Sequence, residues 1–134
     1  MVKIYLSLLL IFYFNMLSSQ ILTPEQVVQK NLDYYNARNI NGFMSLFSAD
    51  IKFYNFGDDK ITISGLDECR RTYQELFDSS PELHSTITQR IVFDNKVIDH
   101  EYITGRKGSK DAVKLVLIYE VKNDLIYKVT VIRK

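Results

Sequence analysis

The sequence predicts an α+β fold, in which three helices wrap a strongly curved antiparallel sheet. Two segments with helical spacing of apolar residues open the domain, and two short strands separate them from a third such segment. After Pro81 the chain alternates apolar and polar residues in long runs joined by turn residues. Helices on one face of a curved sheet leave a pocket between the layers, which suits a small hydrophobic ligand.

The first helix has a clear start. Thr23 stands at the N-cap position and Pro24 at the first helical position, where proline is favoured. Val28, Leu32 and Tyr35 follow at helical spacing and define its inward face.

The middle of the chain predicts two more helices and two short strands. We expect a short second helix over 43–50, a strand over 51–56 and a second strand over 61–64. A third helix over 66–80 follows, and Pro81 ends it. The lone Cys69 lies on the inward face of this helix and is expected to be buried and inert.

The last third of the chain predicts an antiparallel meander of four long strands, over 83–93, 96–105, 111–121 and 125–134. The turns between them fall at Asp94–Asn95, Gly105–Gly108 and Asn123–Asp124.

Charge and cysteine content exclude several functional classes. Seventeen basic and sixteen acidic residues are interspersed, which gives no electrostatic reason to expect a nucleic-acid partner. A single cysteine rules out an internal disulfide and a cysteine-based metal cluster. No spaced His/Cys/Glu pattern or Gly-rich phosphate loop is present, so neither a metal nor a cofactor is expected.

The N-terminus has the pattern of an export signal. Lys3 precedes an apolar run of signal-peptide length, and small residues follow it. We therefore expect a signal peptide over 1–19 and one mature domain over 20–134, exported to the periplasm or secreted and not stably bound to the membrane after cleavage. The alternative is an uncleaved N-terminal membrane anchor.

Four phrases carry a resemblance to a known family: "YNARNINGFMSLFSADIKFY" (35–54), "SPELHSTITQRIVF" (80–93), "VIDHEYITG" (97–105) and "IYEVKNDLIYKV" (118–129). With the order of elements, they resemble the nuclear transport factor 2-like superfamily, and within it bacterial SnoaL-like, ketosteroid-isomerase-related proteins. The resemblance implies a cone-shaped fold over about 24–134 and a homodimer formed through the outer face of the sheet.

The same resemblance allows a test for steroid isomerisation. Ketosteroid isomerase uses a general-base aspartate, and a tyrosine with a protonated aspartate forms its oxyanion hole. The matching positions here hold Asn55, Asn31 and Leu117 respectively. Because an amide cannot take up and return the proton, the resemblance implies that this triad is absent.

The stretch Asp99–His100–Glu101 lies in the second long strand. Successive strand residues point to opposite faces, so Asp99 and Glu101 share one face and His100 takes the other. A hairpin with Asn95–Lys96 as its loop would place His100 on the core side, together with Ile91, Phe93, Ile98 and Tyr102. A loop one residue longer would bring Arg90 opposite His100.

On this interpretation His100 is the candidate acid/base, because imidazole titrates near neutral pH. A core histidine held by hydrogen bonds is the alternative. Arg90, Asp99 and Glu101 are expected to form a charge cluster on the outer face, as cross-strand pairs or as part of a dimer interface.

The remaining candidates are expected to line the pocket: Tyr35, Asn55, Leu117, Tyr119 and His84. The enzymatic hypothesis is a cofactor-free isomerase, cyclase or dehydratase acting on a small hydrophobic carbonyl compound. The alternatives are a ligand-binding protein without catalysis and a protein-interaction module of the same fold.

Overall fold

The computed structural model of the chain describes residues 20–134. The predicted signal peptide lies outside the described residues. In chain order the elements are α1 (Pro24–Asn36), α2 (Ile40–Met44), β1 (Phe47–Asn55), β2 (Ile61–Ser64), α3 (Leu66–Ser79), β3 (His84–Phe93), β4 (Lys96–Thr104), β5 (Val113–Lys122) and β6 (Leu125–Ile132). The α+β fold class is confirmed.

The predicted start of α1 is confirmed by a reciprocal cap. The Thr23 hydroxyl accepts from the backbone N–H of Gln26 at 3.2 Å, and the Gln26 side chain accepts from the Thr23 N–H at 2.9 Å. Two backbone donors at the helix start are thereby satisfied. Pro24 occupies the first helical position, where no intrahelical donor is needed.

The second helix is shorter than predicted and begins earlier, at Ile40 instead of Phe43. It ends at Met44, and Phe47 already belongs to β1. Asn39 caps its start by accepting from the Gly42 N–H at 3.0 Å. Phe47 still points inward, as expected, but from a strand; the aromatic spacing across 43–47 fits the end of a helix and the beginning of a strand equally well.

The six strands of the described chain form one sheet in the order β2-β1-β6-β5-β4-β3. The expectation of an all-antiparallel sheet is wrong at one pairing, because β1 lies parallel to β6. In the sequence, β2, α3 and the strands β3, β4 and β5 come between β1 and β6. They provide the long crossover connection that a parallel pair requires.

The core lies between the helices and the inner face of the sheet. Its centre combines α1 residues such as Val27 and Val28 with strand residues such as Ile51, Ile126 and Val129, all essentially inaccessible to solvent. Cys69 is buried in the same core, as predicted, and burial raises the pKa of its thiol to about 12. The thiol therefore stays protonated at neutral pH.

Candidate functional site

A cavity of about 420 Å³ opens between the helices and the inner face of the sheet. Pockets for small molecules commonly measure about 300–1,000 Å³. The aromatic part of the lining comes from five elements and consists of Tyr35, Phe43, Phe47, Phe53, Tyr73 and Tyr119. Such walls favour a flat, largely apolar ligand.

The aromatic wall is packed on itself. The ring centroids of Phe43 and Tyr73 lie 4.5 Å apart, and Tyr35 meets Phe77 edge-on at 5.5 Å. These contacts fix the rings that carry the Tyr35 and Tyr73 hydroxyls. Neither hydroxyl hydrogen-bonds another side chain in the part of the chain that the structure describes. Both are therefore available to donate to a ligand.

Glu101 is the carboxyl group that faces this cavity from β4. Only 5% of the residue is exposed. The Tyr119 hydroxyl donates to Oε1 at 3.1 Å, and the Ser85 hydroxyl donates to Oε2 at 3.0 Å. Neighbouring strands β5 and β3 supply these two donors, so the sheet itself orients the carboxyl group.

Burial raises the pKa of Glu101 to about 7. The hydrogen bonds from Ser85 and Tyr119 oppose this rise, because they stabilise the ionised form, and the charge of Asp99 adds to it. A carboxyl group with a pKa near 7 can accept and return a proton at neutral pH.

Asp99, two residues earlier on the same face, is held differently. It is 1% exposed and forms a bidentate ion pair with Arg90, at 2.7 Å from Nε to Oδ1 and 2.8 Å from Nη2 to Oδ2. The third donor of Arg90, Nη1, reaches Gln29 on α1 at 2.8 Å. Asp99 is thus neutralised within the structure, whereas Glu101 has no such cationic partner among the described residues.

The charged lining residues that are exposed to solvent define the mouth of the cavity, and most of them are basic. Arg106 and Lys107, in the loop between β4 and β5, and Arg133, after β6, belong to its lining, with Glu75 of α3 as the acidic residue at the rim. The Arg133 guanidinium donates to the side-chain oxygen of Asn55 at 3.0 Å.

The predicted placement of His100 is wrong. Its side chain is exposed on the outer face of β4, opposite Val116 of β5, and it does not line the cavity. Asp99 and Glu101, expected on the outer face, point into the core instead. The alternative of a core histidine is excluded by the same exposure.

The prediction failed because it chose the wrong face of β4 as the buried one. The alternation correctly grouped Ile91, Ile98, His100 and Tyr102 on one face, but that more apolar group faces outward. The buried group contains Val97 and Ile103 as well as the two acids, and it is paired with the inward residues of β5. Period-two spacing separates two faces without telling which one is covered.

The hairpin register also differs from both predicted versions. Asp94 and Asn95 form the loop, so Arg90 lies opposite Asp99 and Ile91 opposite Ile98. An irregularity between Ile87 and Gln89 then shifts β3 by one residue. This bulge lets Ser85 and Arg90 face inward on the same strand, although their spacing is odd.

The other predicted pocket residues divide into two groups. Tyr35, Leu117 and Tyr119 line the cavity. Asn55 and His84 do not, because Asn55 ends β1 beside Arg133 and His84 is exposed at the start of β3.

Glu101, Tyr73 and the basic mouth were missed as site residues. Glu101 could have been found from its strand neighbours, since Val97 and Ile103 share its face and are strongly apolar. No local pattern marks Arg106 or Arg133, because only the tertiary fold brings the two together.

Within residues 20–134 no cluster of three or more His, Cys, Asp or Glu side chains could hold a metal ion. In the same range no helix is long and apolar enough to cross a membrane.

Comparison with known families gives a match over most of the chain. The model of the SnoaL-like domain family matches residues 28–129. No functionally curated protein matches at a significant level.

Solved structures share the fold at low identity. An uncharacterised cystatin-fold protein from Novosphingobium aromaticivorans superposes with a TM-score of 0.76 at 20% identity, covering 84% of this chain and 99% of that one. A protein with a ketosteroid isomerase-like fold from Catenulispora acidiphila, in complex with trimethylamine, gives 0.65 at 19%, covering 82% and 85%. A computationally designed 17-OHP binder gives 0.70 at 14%, covering 81% and 89%. At these identities the likeness shows the fold alone.

Proposed function

The chain belongs to the SnoaL-like domain family, and from the chemistry of its cavity we propose that it binds a small, largely apolar carbonyl compound and moves a proton on it at Glu101. The observation that carries this proposal is a buried carboxyl group with a pKa of about 7, set in an aromatic cavity. The reaction class is a cofactor-independent isomerisation or cyclisation.

The proton balance of such a step is simple. Ionised Glu101 removes a proton from the carbon next to the ligand carbonyl, and the electron pair moves onto the carbonyl oxygen. The free hydroxyls of Tyr35 and Tyr73 supply donors for the resulting enolate oxygen. Glu101 then returns the proton to a carbon of the enolate, which regenerates the carboxylate.

Proton exchange provides a direct test with a defined probe. In D₂O at neutral pH, 2-tetralone should exchange its α-protons faster with the protein than without it, as followed by NMR. Glu101→Gln should remove the acceleration, whereas Glu75→Gln, at the rim, should retain it. An acceleration that survives Glu101→Gln would refute the role of Glu101.

Binding is tested separately by blocking the cavity. Leu117→Phe fills space in the lining, and Val116→Phe places the same ring on the outer face of the same strand. Calorimetric titration with 2-tetralone and related cyclic ketones should show binding to the wild type and to Val116→Phe, with loss in Leu117→Phe. Equal binding to both variants would refute a ligand site in this cavity.

Ligand binding without catalysis is the second candidate. It is favoured by the fact that both Glu101 oxygens already accept hydrogen bonds from Tyr119 and Ser85. Those bonds would have to lengthen or be shared when Glu101 takes up a proton. Binding without any proton exchange would select this candidate.

We further propose that the chain is exported and that its mature form starts near Gln20. The apolar run after Lys3 supports this. Cell fractionation followed by N-terminal sequencing tests it: a membrane-bound chain that retains residues 1–19 would indicate the anchor instead.

We also propose a homodimer formed through the outer face of the sheet.

A further inference from the structure

The mouth of the cavity holds more positive charge than the chain as a whole. The formal net charge of the protein is +1, yet three of the cavity-lining residues are cations: Arg106, Lys107 and Arg133. Among the described residues, Glu75 is the only carboxylate in the lining apart from Glu101. The positive charge is thus concentrated where a ligand enters.

These cations are not neutralised by ion pairs. Across residues 20–134 the salt bridges join Arg90 to Asp99 and Lys128 to Glu120, so none involves the three mouth residues. Arg133 is held by the neutral side-chain amide of Asn55 at 3.0 Å. Its charge is therefore oriented without being cancelled.

The loop that carries the other two cations is anchored to the protein. The backbone N–H of Lys107 donates at 3.0 Å to the hydroxyl of Ser80, which is itself buried. Gly105 has a φ of 72° and lies against the carbonyl group of Glu82, a contact that leaves no room for a Cβ atom. The direction in which the chain enters the loop is thereby fixed.

The charges of Arg106 and Arg133 act on side chains inside the cavity. The positive charge of Arg106 acts to lower the pKa of Tyr35, and that of Arg133 acts to lower the pKa of Tyr73, although burial raises both pKa values overall. Both tyrosines belong to the aromatic wall.

Building on the proposed small-molecule site, we propose that the physiological ligand is an amphipathic carboxylate, whose anionic group binds Arg106 and Arg133 at the mouth while its apolar body lies among the aromatic rings. A guanidinium group matches the planar carboxylate with paired donors. The ammonium group of Lys107 also attracts the carboxylate, without requiring a particular geometry. Glu101 then meets the apolar end of the ligand, at a distance from the anchored carboxylate.

An isosteric pair of probes tests this inference. 2-Naphthaleneacetic acid and its primary amide have the same aromatic body and differ in charge. Isothermal titration of the full mature domain at pH 8 and low salt should show the acid binding about fivefold more tightly, the range expected for partly exposed ion pairs. Arg106→Gln and Arg133→Gln should each reduce that ratio toward one, and so should 500 mM NaCl.

Lys110→Gln is the matched control, because it removes one positive charge from the same loop without belonging to the cavity lining. It should leave the ratio close to the wild-type value. If Lys110→Gln reduced the ratio of acid to amide affinity as much as Arg106→Gln, the anion would be attracted by the charge of the loop in general. That result would overturn the proposed carboxylate site at the mouth.

Two further outcomes separate this inference from the proposed function. Equal binding of acid and amide, abolished by Leu117→Phe, would refute the anionic ligand class and leave the cavity as a binding site. No binding of either probe, together with none of the cyclic ketones, would refute the binding site itself and this inference with it.

Discussion

Glu101 makes the stability of the folded protein depend on pH. Its pKa is about 7 in the folded state, above its ordinary value of 4.5. Between pH 4.5 and pH 7 the Glu101 carboxyl group is ionised in the unfolded chain but still largely protonated in the folded protein. The free energy of unfolding should therefore fall as pH rises from about 4.5 to about 7. The full effect is on the order of 3 kcal/mol.

Glu101→Gln should abolish most of that decrease and make the protein more stable than the wild type at pH 8. An amide can still accept from Tyr119 and remain uncharged. Urea unfolding at several pH values measures the effect. Wild-type and variant curves that stay parallel from pH 4.5 to pH 8 would show that Glu101 does not titrate in this range.

Arg90 and Asp99 form a buried ion pair whose disruption should be costly. Arg90→Met leaves the Asp99 carboxylate without its partner, and we expect a loss of ~3–5 kcal/mol in the free energy of unfolding. The double variant Arg90→Met/Asp99→Leu should recover most of it, because no unpaired charge remains. Failure of the double variant to recover would show that Arg90 acts through its packing.

The pair between Lys128 and Glu120 provides the comparison. It is more exposed, with 3.4 Å between its charged atoms. Lys128→Met should therefore change stability by no more than about 1 kcal/mol. A loss as large as that of Arg90→Met would remove the distinction between the buried and exposed pairs.

At the scale of elements, the loop between β4 and β5 depends on one glycine. Gly105→Ala would force a Cβ atom against the carbonyl group of Glu82 at a positive φ, and should lower the free energy of unfolding by about 1–3 kcal/mol. Gly108→Ala is the matched control, since its φ of 82° is similar but its Cβ atom would meet open space. Thermal unfolding of both variants measures the difference; equal losses would show that only the φ angle matters.

Elements with a local signal were predicted well. The start of α1 follows from Thr23, Pro24 and Gln26, and two of the meander turns lie at Asp94–Asn95 and Asn123–Asp124, as predicted. Asp94, Asn123 and Asp124 at these turns have positive φ angles, which Asn and Asp tolerate better than most residues.

The inward face of β4 was predicted incorrectly, because its two acids look like surface residues in the sequence. What makes them suitable for burial is contributed by other elements: Arg90 of β3 for Asp99, and Tyr119 of β5 for Glu101. A buried charge is tolerated only through such partners. The sequence of β4 alone does not contain these partners.

At the scale of the whole molecule, the proposed homodimer uses the outer face of the sheet. This face contains Ile91, which is 54% exposed, and Tyr102, which is 40% exposed, beside His100. Ile91→Arg should convert a dimer into a monomer in light-scattering measurements. Val92→Arg, with the opposite orientation in the same strand, should not. A wild-type monomer would refute the proposed dimer.

The parallel pairing of β1 with β6 has a consequence for how the chain folds. Phe53 and Val129, which lie opposite each other, are separated by most of the described sequence. While a ribosome makes the chain, β1 can pair with β2, but its other edge has no partner until β6 emerges. The last strand therefore joins β1 and β2 to the rest of the sheet, and contacts of such long sequence separation slow folding. The export proposed above requires a chain that is still unfolded when it reaches a translocation pore, and late pairing of β1 with β6 would keep the chain unfolded for longer.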